Sequence, residues 1–321
     1  MELNAFHIFL TVVEEMNFSR AANRLYITQQ SLSGHIKRLE EHYHVRLFQR
    51  RPRLCLTPAG EAMVFYSKHI LESEQAMVAR FADLTQRSVG ILRLGLSHQR
   101  SSAFFPGIWS RYHPEYKNIS VRLQEKLTTP LLEDLLAGDI DIMLGVDIPP
   151  LSGLETVLLA QEQMRCVMNE VLLKEYFPES WQDMLERYAQ NGVDLMELKE
   201  MPLILLSSPN RLRQPVDQLF RKHNAIPNIA LETASHSLLY QLGCHGSGVA
   251  IANPLSLYEQ IRLRGLPPKE CHSFLLQGMP KRSVSLAYRK DAEKTKYMLG
   301  MVDAIVEEFD YYVEFLNRFS L

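Results

Sequence analysis

The side chains with the richest hydrogen-bonding chemistry lie between residues 28 and 37, a stretch without any acidic residue. Those that can donate or accept hydrogen bonds include Thr28, Gln29, Gln30, Ser33, His35 and Lys37. A glutamine amide can bond bidentately to the major-groove edge of adenine, whereas serine and histidine make less specific contacts. This composition predicts a surface that contacts base edges, with Gln29 and Gln30 as its main groups. The alternative, simple solvation at the surface, stays open for each residue taken singly.

Basic residues surround this stretch. Residues 19–60 contain eight Arg and Lys and two acidic residues, a net charge of +6, and because the whole chain carries −2 the remainder carries −8. A basic segment attached to an acidic body is suited to a phosphate backbone. We therefore predict phosphate or minor-groove contacts for Lys37, Arg50, Arg51 and Arg53.

Two short helices must position these side chains. Ser19 is predicted to cap the first helix and Thr28 the second. The second helix has three apolar residues on one face, at i, i+4 and i+7: Leu32, Ile36 and Leu39. Two helices joined by a tight turn, with a short strand returning from a basic tip at 54–56, predict a winged helix-turn-helix. An amphipathic helix over residues 3–16 is expected to pack against the pair.

The same segment contains a series of short motifs at fixed spacing. They are Ala21-Ala22, Thr28-Gln29, Leu32-Ser33, Ile36-Lys37-Arg38-Leu39-Glu40, Leu47-Phe48-Gln49-Arg50 and Leu56-Thr57-Pro58-Ala59-Gly60. In this order they resemble the DNA-binding domain of the LysR-type transcriptional regulators. Two features depart from the family: the wing is a residue short, and Tyr43-His44 replaces the usual Leu-Gly. His44 is therefore expected to take the left-handed conformation that ends a helix.

Residues 58–87 predict one long helix. Its apolar residues fall close to heptad spacing: Met63, Tyr66, Ile70, Met77, Phe81 and Leu84. Thirty helical residues span about 45 Å, and a helix of that length with an apolar seam needs a partner. The resemblance implies a linker helix that pairs two chains antiparallel. Packing on its own chain alone is the alternative.

Beyond residue 88, strand-like and helical segments alternate, which predicts a mainly parallel sheet covered by helices. The resemblance implies a two-lobed effector domain with the architecture of periplasmic solute-binding proteins. The predicted fold class is thus α/β with an all-α, winged N-terminal domain. We predict a DNA-binding domain at 1–58, a linker helix at 59–88 and an effector domain at 89–321. Within the effector domain, lobe I takes 89–161 and 269–321, and lobe II takes 162–268.

Hydroxyl side chains cluster where four predicted strands end. In α/β lobes, ligands bind outside the carboxyl ends of strands, near helix N-termini with free N–H groups. The candidate effector-binding residues are Ser97, His98, Arg100, Thr128, Thr129, Ser207, Thr233, Ser235 and His236. We expect His98, Arg100 and His236 to add positive charge, which favours a small anion such as a carboxylate, with an uncharged polar ligand as the alternative. The alternative is that the hydroxyls only cap helices.

The four cysteines, Cys55, Cys166, Cys244 and Cys271, show no metal-ligand spacing and are predicted to be buried thiols. A redox switch would need two of them to meet in space. No segment predicts a membrane span or a signal peptide, so we expect a cytoplasmic protein. An amphipathic helix over 297–321 is expected to pack on its own lobe, with a subunit contact as the alternative.

The leading hypothesis is a DNA-binding transcription regulator that responds to a small-molecule effector in the cleft between its lobes. Its predicted DNA-binding residues are Ser19, Thr28, Gln29, Gln30, Ser33, His35, Lys37, Arg50, Arg51 and Arg53. Expected partners are double-stranded DNA, the effector and a second or further copies of the chain, as homodimer or homotetramer, with RNA polymerase as a further candidate. An enzyme or a metabolite-binding protein is the alternative. No cofactor or metal is expected, and no Ser-His-Asp set supports catalysis.

Overall fold

The computed structural model describes residues 3–49, 53–84, 89–208 and 210–318. The N-terminal domain contains three helices and a two-stranded wing: α1 (Asn4–Glu15), α2 (Phe18–Arg24), α3 (Gln29–Tyr43), β1 (Phe48–Gln49) and β2 (Cys55–Leu56). Phe9 and Val12 of α1 and Leu32 of α3 are fully buried in one core, because their spacing puts them on the inner faces of the two helices. The predicted winged helix-turn-helix is confirmed.

The caps of these helices explain where they begin and end. Asn17, not Ser19, caps α2: its Oδ1 accepts from the backbone N–H of Ser19 at 2.9 Å, which places Ser19 inside the first turn. Thr28 caps α3 as predicted, since its Oγ1 accepts from the Ser31 N–H at 3.1 Å. His44 ends α3 with a φ of 53°, which confirms the left-handed conformation expected there.

The long helix α4 (Pro58–Leu84) follows the wing directly. Leu71 packs into the core of the N-terminal domain, but Tyr66, Met77 and Phe81 leave 63%, 48% and 57% of their area exposed. Twenty-seven residues make a helix of about 40 Å. The side chain of Leu84 and residues 85–88 lie outside the described part of the chain. The single chain thus leaves most of the predicted seam uncovered.

Lobe I is a five-stranded mixed sheet with three helices. Its elements are β3 (Gly90–Leu96), α5 (His98–Glu115), β4 (Ile119–Glu125), α6 (Thr128–Leu136), β5 (Ile142–Val146), β6 (Leu154–Glu162), β12 (Arg282–Arg289) and α12 (Lys296–Arg318). The strand order is β4-β3-β5-β12-β6, in which β3 pairs parallel with β4 and β5, and β12 pairs antiparallel with β5 and β6. Its parallel half needs the helical crossovers α5 and α6.

Lobe II has its own five-stranded sheet in the order β11-β7-β10-β8-β9. Its elements are β7 (Arg165–Asn169), α7 (Glu170–Tyr176), α8 (Trp181–Asn191), a 3-10 turn (Leu195–Leu198), β8 (Leu203–Leu206), α9 (Arg213–Lys222), β9 (Ile229–Thr233), α10 (His236–Cys244), β10 (Val249–Ala252), α11 (Pro254–Arg264) and β11 (Cys271–Leu275). A separate core, with Tyr188, Phe220 and Leu203 buried, lies on one face of this sheet.

The chain crosses between the lobes twice. The first crossing follows Glu162, the last residue of β6 in lobe I, whereas lobe II was predicted to begin at residue 162. The return crossing lies further from its predicted place: we predicted it at 268/269, but β11 pairs antiparallel with β7 over five residues, so it lies after Leu275. The prediction was wrong because the sheet to which a strand belongs depends on a pairing partner about a hundred residues away. The helix α11 also departs from its lobe, since Leu255 and Tyr258 are buried in the core of lobe I.

Two further features follow from tertiary contacts. The C-terminal helix α12 packs on its own lobe, with the ring of Phe309 4.3 Å from that of Phe104. Cys244 and Cys271, which we expected to be separate buried thiols, form a disulfide, whereas Cys55 is exposed and Cys166 is buried as a free thiol. Of the helices that the structure describes, none combines the length and apolar character needed to cross a bilayer.

Candidate nucleic-acid interface and interlobe cleft

The first turn of α3 projects from the N-terminal domain. Thr28, Gln29 and Gln30 are exposed, whereas Ser33 and His35 are half-buried. Gln29 is held in place, because its Oε1 accepts a hydrogen bond from the Ser19 hydroxyl at 3.1 Å. The structure thus brings five of the predicted base-contacting residues to one end of one helix, together with Ser19.

Gly34, on the same face of α3, was not among the predicted residues. A Cβ built on Gly34 would meet no atom within 4 Å, so the helix backbone itself is open to the outside at this point. A glycine costs about 1 kcal/mol relative to alanine inside a helix, so it needs a reason other than fold stability. Close approach of another molecule to the backbone is such a reason. The glycine between Ser33 and His35 was the signal in the sequence.

The basic residues around α3 divide into paired and unpaired groups. Arg24 lies 2.7 Å from Glu14 and 3.1 Å from Glu15, and these carboxylates raise the pKa of its guanidinium. The positive charge of α2 is therefore largely matched by α1. Lys37 has only a longer contact, 3.5 Å to Glu41.

Arg38, which we did not predict, donates to Nδ1 of His35 at 3.0 Å and extends the basic surface of α3. Arg53 lies exposed at the wing. The predicted contacts Arg50 and Arg51 lie outside the described residues.

A cavity of about 660 Å³ lies between the two lobes. Six of the nine predicted effector-binding residues line it: Ser97, His98, Arg100, Thr128, Ser235 and His236. Thr129, Ser207 and Thr233 are not among its lining residues. A smaller cavity of about 360 Å³ lies beside α4 and lobe I, and its Arg93 is already paired with Asp141 at 2.8 Å. The larger cavity, at the strand ends of both lobes, is therefore the stronger candidate for a ligand site.

The hydroxyls in the cleft cap helices and line the cavity at once. Ser97 Oγ accepts from the Arg100 N–H at 3.4 Å, and Ser235 Oγ accepts from the Leu238 N–H at 3.2 Å. Thr128 Oγ1 accepts from the Val146 N–H at 3.2 Å and so ties α6 to β5. Ser97 and Ser235 thus cap helices, as the alternative proposed, and all three hydroxyl residues still line the cavity.

The positive charge expected in the cleft is mostly neutralised. Arg100 Nη2 lies 2.9 and 3.1 Å from the two carboxylate oxygens of Glu162, and both side chains are more than nine-tenths buried. Glu162 also accepts from the Tyr312 hydroxyl at 2.9 Å. His98 lies 3.1 Å from Glu125.

His236 does not supply the positive charge that we expected. Burial, together with the neighbouring Arg100, lowers its pKa to about 4, so it is neutral at pH 7. The expectation was wrong because exposure and neighbouring charge, which set the protonation of a histidine, are tertiary properties.

Several lining residues were missed by the sequence analysis. Arg211, from the segment before α9, donates to Thr129 Oγ1 at 2.5 Å and so connects the lobes across the rim of the cleft. Among the described residues no carboxylate lies within ion-pair distance of Arg211, in contrast to Arg282, which lies 2.8 Å from Asp147. Gln99 exchanges amide hydrogen bonds with Asn253 at 3.1 and 3.4 Å. Gln99 and Arg211 lie just after the hydroxyl-rich ends of β3 and β8, so the signal was present, but an amide and a more distant arginine were not selected from those stretches.

Comparison with known proteins gives matches in both domains. The model of the bacterial regulatory helix-turn-helix proteins of the lysR family matches residues 3–61, and the LysR substrate binding domain matches residues 85–310. The uncharacterised HTH-type transcriptional regulator YybE of Bacillus subtilis (strain 168) is 28% identical over 271 residues, 82% of this chain and 86% of its own.

Two solved structures have the same fold along almost the whole chain. A full-length OxyR variant from Pseudomonas aeruginosa has a TM-score of 0.63 at 20% identity and covers 96% of this chain and 94% of its own. Full-length CbnR in complex with its target DNA has a TM-score of 0.58 at 20% identity, and the match covers 96% of this chain and 100% of the CbnR chain.

These relatives are transcription regulators and not enzymes. Among the described residues there is also no cluster of three His, Cys, Asp or Glu side chains that could hold a metal ion. A winged helix-turn-helix, a linker helix and a two-lobed domain, matched by two family models that together span most of the chain, establish its class. The chain belongs to the LysR family of DNA-binding transcriptional regulators, with an N-terminal helix-turn-helix and a C-terminal effector-binding domain.

Proposed function

We propose that α3 enters the major groove of promoter DNA with Gln29 and Gln30 against base edges. The observation that carries the proposal is the exposed first turn of α3, capped by Thr28 and oriented by the bond between Ser19 and Gln29. Ser33 and His35 extend the same contact surface. Lys37 and Arg53 contact phosphates, and Arg50 and Arg51 complete this role at the wing.

The DNA-bound form is an oligomer, a homodimer or a homotetramer. Tyr66, Met77 and Phe81 expose apolar area along one side of a helix of about 40 Å, and such a seam is stable in water when a second helix covers it. A second copy of α4 has the matching surface. Pairing of two copies places two DNA-binding domains on one duplex, in the cytoplasm, where RNA polymerase is a further candidate partner.

The effector is a small polar molecule, and the cleft favours an anion. The N-termini of α5 and α10 both face the cavity, and each offers free N–H groups and a positive dipole end. Arg211 adds a charge without a carboxylate partner among the described residues. The charges of Arg100 and Glu162 cancel, so the preference for an anion rests on the helix termini and Arg211.

An effector in this position regulates by binding one arrangement of the lobes more tightly than another. A ligand shifts an equilibrium only by its differential affinity for the two states. Because Thr129 is in lobe I and Arg211 in lobe II, a bound anion that recruits Arg211 alters the contact between the lobes. The new arrangement changes the spacing of the DNA-binding domains through α4.

Footprinting on the DNA upstream of the chain's own and neighbouring genes tests the proposal. We expect Gln29→Ala to reduce discrimination between the protected site and random duplex by about 1–3 kcal/mol. Arg53→Ala is expected to weaken binding to both duplexes and to lower the slope of log K against log salt by about 0.9. Equal affinity of the unaltered protein for promoter and random DNA would contradict the proposal.

Thermal shift against a panel of small carboxylates identifies the effector class. An anion that binds only the folded protein, present at a concentration of 100 times its Kd, stabilises the protein by about 2.7 kcal/mol and raises the Tm of the protein. Arg211→Gln should reduce the shift, whereas Lys290→Gln, on an exposed residue away from the cleft, should leave it unchanged. A panel in which neutral compounds raise the Tm and carboxylates do not would exclude the anion.

A further inference from the structure

Cys244 and Cys271 are far apart in sequence but adjacent in lobe II. Cys244 is the last residue of α10 and Cys271 the first of β11, 27 residues later. Their Cα atoms are 4.8 Å apart, within the range that a disulfide requires, and the two sulfurs are bonded. The fold of lobe II therefore holds the two residues at the distance that a disulfide bridges.

The surroundings of the bond argue against a purely structural disulfide. A regulator that acts on DNA works in a reducing compartment, where disulfides are transient and serve catalysis or redox sensing. Lobe II does not depend on a cross-link for its core, because Tyr188, Phe220 and Val249 bury an apolar interior on one face of its sheet. The bond is therefore available to open and close within a folded lobe.

The two sulfurs differ in access. Cys244 is 5% exposed, whereas Cys271, at the start of the outermost strand β11, is only half-buried. Cys244 also ends α10, where the helix dipole disfavours a thiolate. Cys271 is thus the sulfur that a small molecule in solution reaches first, and Cys244 is the one that resolves the intermediate.

The elements that the bond joins both lead to the effector cleft. The opposite end of α10 carries Ser235 and His236, which line the cavity. The helix lies close on its sheet, since a Cβ on Gly243 would come within 2.9 Å of the Val167 carbonyl oxygen. At the other side, β11 leads directly into the 276–281 segment that returns to lobe I. The bond therefore ties the cleft wall of lobe II to the crossing between the lobes.

We propose that Cys244 and Cys271 form a site of reversible oxidation by low-molecular-weight disulfides, and that the redox state of this site tunes the regulator through α10 and the cleft. The second half of this proposal rests on the proposed effector function. The site reports the ratio of small thiols to small disulfides around the protein.

The reaction is thiol–disulfide exchange in two steps. The Sγ of Cys271, as thiolate, attacks one sulfur of the small disulfide, forms a mixed disulfide and releases one small thiolate. The Sγ of Cys244 then attacks the Cys271 sulfur, forms the internal S–S bond and releases the second small thiolate. The two protein thiols lose two electrons and two protons, and the small disulfide is reduced to two thiols.

Redox titration of the full-length protein tests the site. The protein carries Cys55→Ser, which removes the exposed thiol at the wing, and is equilibrated anaerobically in reduced and oxidised glutathione at graded ratios. Free thiols are then alkylated and identified by peptide mass spectrometry. Cys244 and Cys271 should oxidise together in one two-electron transition, while Cys166, whose burial raises the pKa of its thiol, stays reduced. A pair that stays joined in excess reduced glutathione, or stays reduced in oxidised glutathione alone, would overturn the site.

Single variants test the order of attack. In Cys244→Ser, the half-buried Cys271 should accumulate a mixed disulfide with glutathione. In Cys271→Ser, the buried Cys244 should remain largely a free thiol over the same time. Glutathionylation of Cys244 in preference to Cys271 would overturn the assigned roles. Because the readout is the mass of each peptide, a modest loss of stability in either variant does not obscure it.

The coupling is tested by DNA affinity in the two redox states. Oxidised and reduced Cys55→Ser protein should differ by about fivefold or more in affinity for the protected promoter site, or in the length of the footprint. The Cys55→Ser/Cys244→Ser/Cys271→Ser variant should bind equally in both buffers. Identical binding of both redox forms would overturn the coupling and leave the oxidation site standing. Loss of promoter preference in both forms would instead overturn the proposed function.

Discussion

Glu40 lies on the buried face of α3, whereas the next residue, Glu41, is exposed to solvent. Glu40 Oε1 accepts from the backbone N–H of Leu47 at 2.8 Å and of Phe48 at 3.4 Å. It therefore ties the end of α3 to the beginning of the wing. At the scale of single residues, the buried Glu40 fixes local geometry and the partly buried His236 has a shifted pKa, and each leads to a measurable prediction.

Replacement of Glu40 by alanine should destabilise the protein by about 1–3 kcal/mol, because it leaves the buried Leu47 N–H without an acceptor. Glu41→Ala is the matched control. It removes a surface carboxylate of the same helix that makes only a 3.5 Å contact to Lys37, so its effect should stay within about 0.5 kcal/mol. Urea denaturation followed by circular dichroism measures both. Equal effects would show that the carboxylate does not hold the wing.

The lowered pKa of His236 predicts a loss of stability in acid. Burial, with the neighbouring Arg100, lowers its pKa from 6.5 to about 4, so between pH 6.5 and pH 4 the unfolded chain binds a proton that the folded chain does not. The free energy of unfolding should therefore fall as pH falls through this window, by up to roughly 3 kcal/mol. Denaturation at graded pH, compared with His236→Asn, measures it. If the stability of the His236→Asn variant falls just as steeply with falling pH, other groups cause the acid sensitivity.

At the scale of the elements, α4 differs from the other helices because most of its apolar face is not covered by the same chain. The helices α5, α10 and α12 bury their apolar faces on sheets of the same chain, but Tyr66, Met77 and Phe81 of α4 remain about half exposed or more. A helix with an uncovered apolar seam is unlike a surface helix of a monomer. The element thus predicts an assembly.

Tyr66→Glu should weaken self-association, since it puts a charge into the apolar seam of α4. We expect at least a tenfold rise in the dimer dissociation constant, about 1.4 kcal/mol, by sedimentation velocity. Ala62→Glu adds the same charge to an exposed position of the same helix, outside the heptad seam, and should leave association unchanged. If both variants associate like the unaltered chain, a different surface holds the copies together.

At the scale of the whole molecule, the C-terminal helix α12 contacts a residue of the cleft wall. The family model ends at residue 310, but α12 continues to Arg318. In this extension the fully buried Tyr312 donates to Glu162, the partner of Arg100 at the cleft wall. The C-terminal part of α12 therefore supports a charge pair of lobe I that lines the cleft.

Tyr312→Phe should destabilise the protein by about 1–3 kcal/mol, because a buried carboxylate loses its hydroxyl donor. Tyr311→Phe is the matched control, since this neighbouring ring is 57% exposed, and it should change stability by less than about 0.5 kcal/mol. Differential scanning calorimetry of both variants measures the difference. A Tyr312→Phe protein as stable as the control would mean that Glu162 does not depend on the extension.

The sequence by itself determined the features that depend on local spacing. The helix-turn-helix and the Thr28 cap follow from residues within a few positions of each other, so the pattern could predict them. The left-handed His44 was expected from the resemblance, because His44 stands where the family has glycine. The alternation of strands and helices likewise predicted a helix-covered α/β sheet, and the family resemblance implied its division into two lobes. Ser19 was the local error, because Asn17, two residues earlier, had an equally good capping side chain.

Only the tertiary structure decided the features that depend on distant residues. Pairing with β7 put β11 into lobe II, burial and Arg100 made His236 neutral, and Glu162 matched the charge of Arg100. Cys244 and Cys271 met because α10 ends beside the start of β11. Each of these joins residues tens to more than a hundred positions apart, and neither periodicity nor motif spacing encodes such contacts, because they exist only once the sheets have formed.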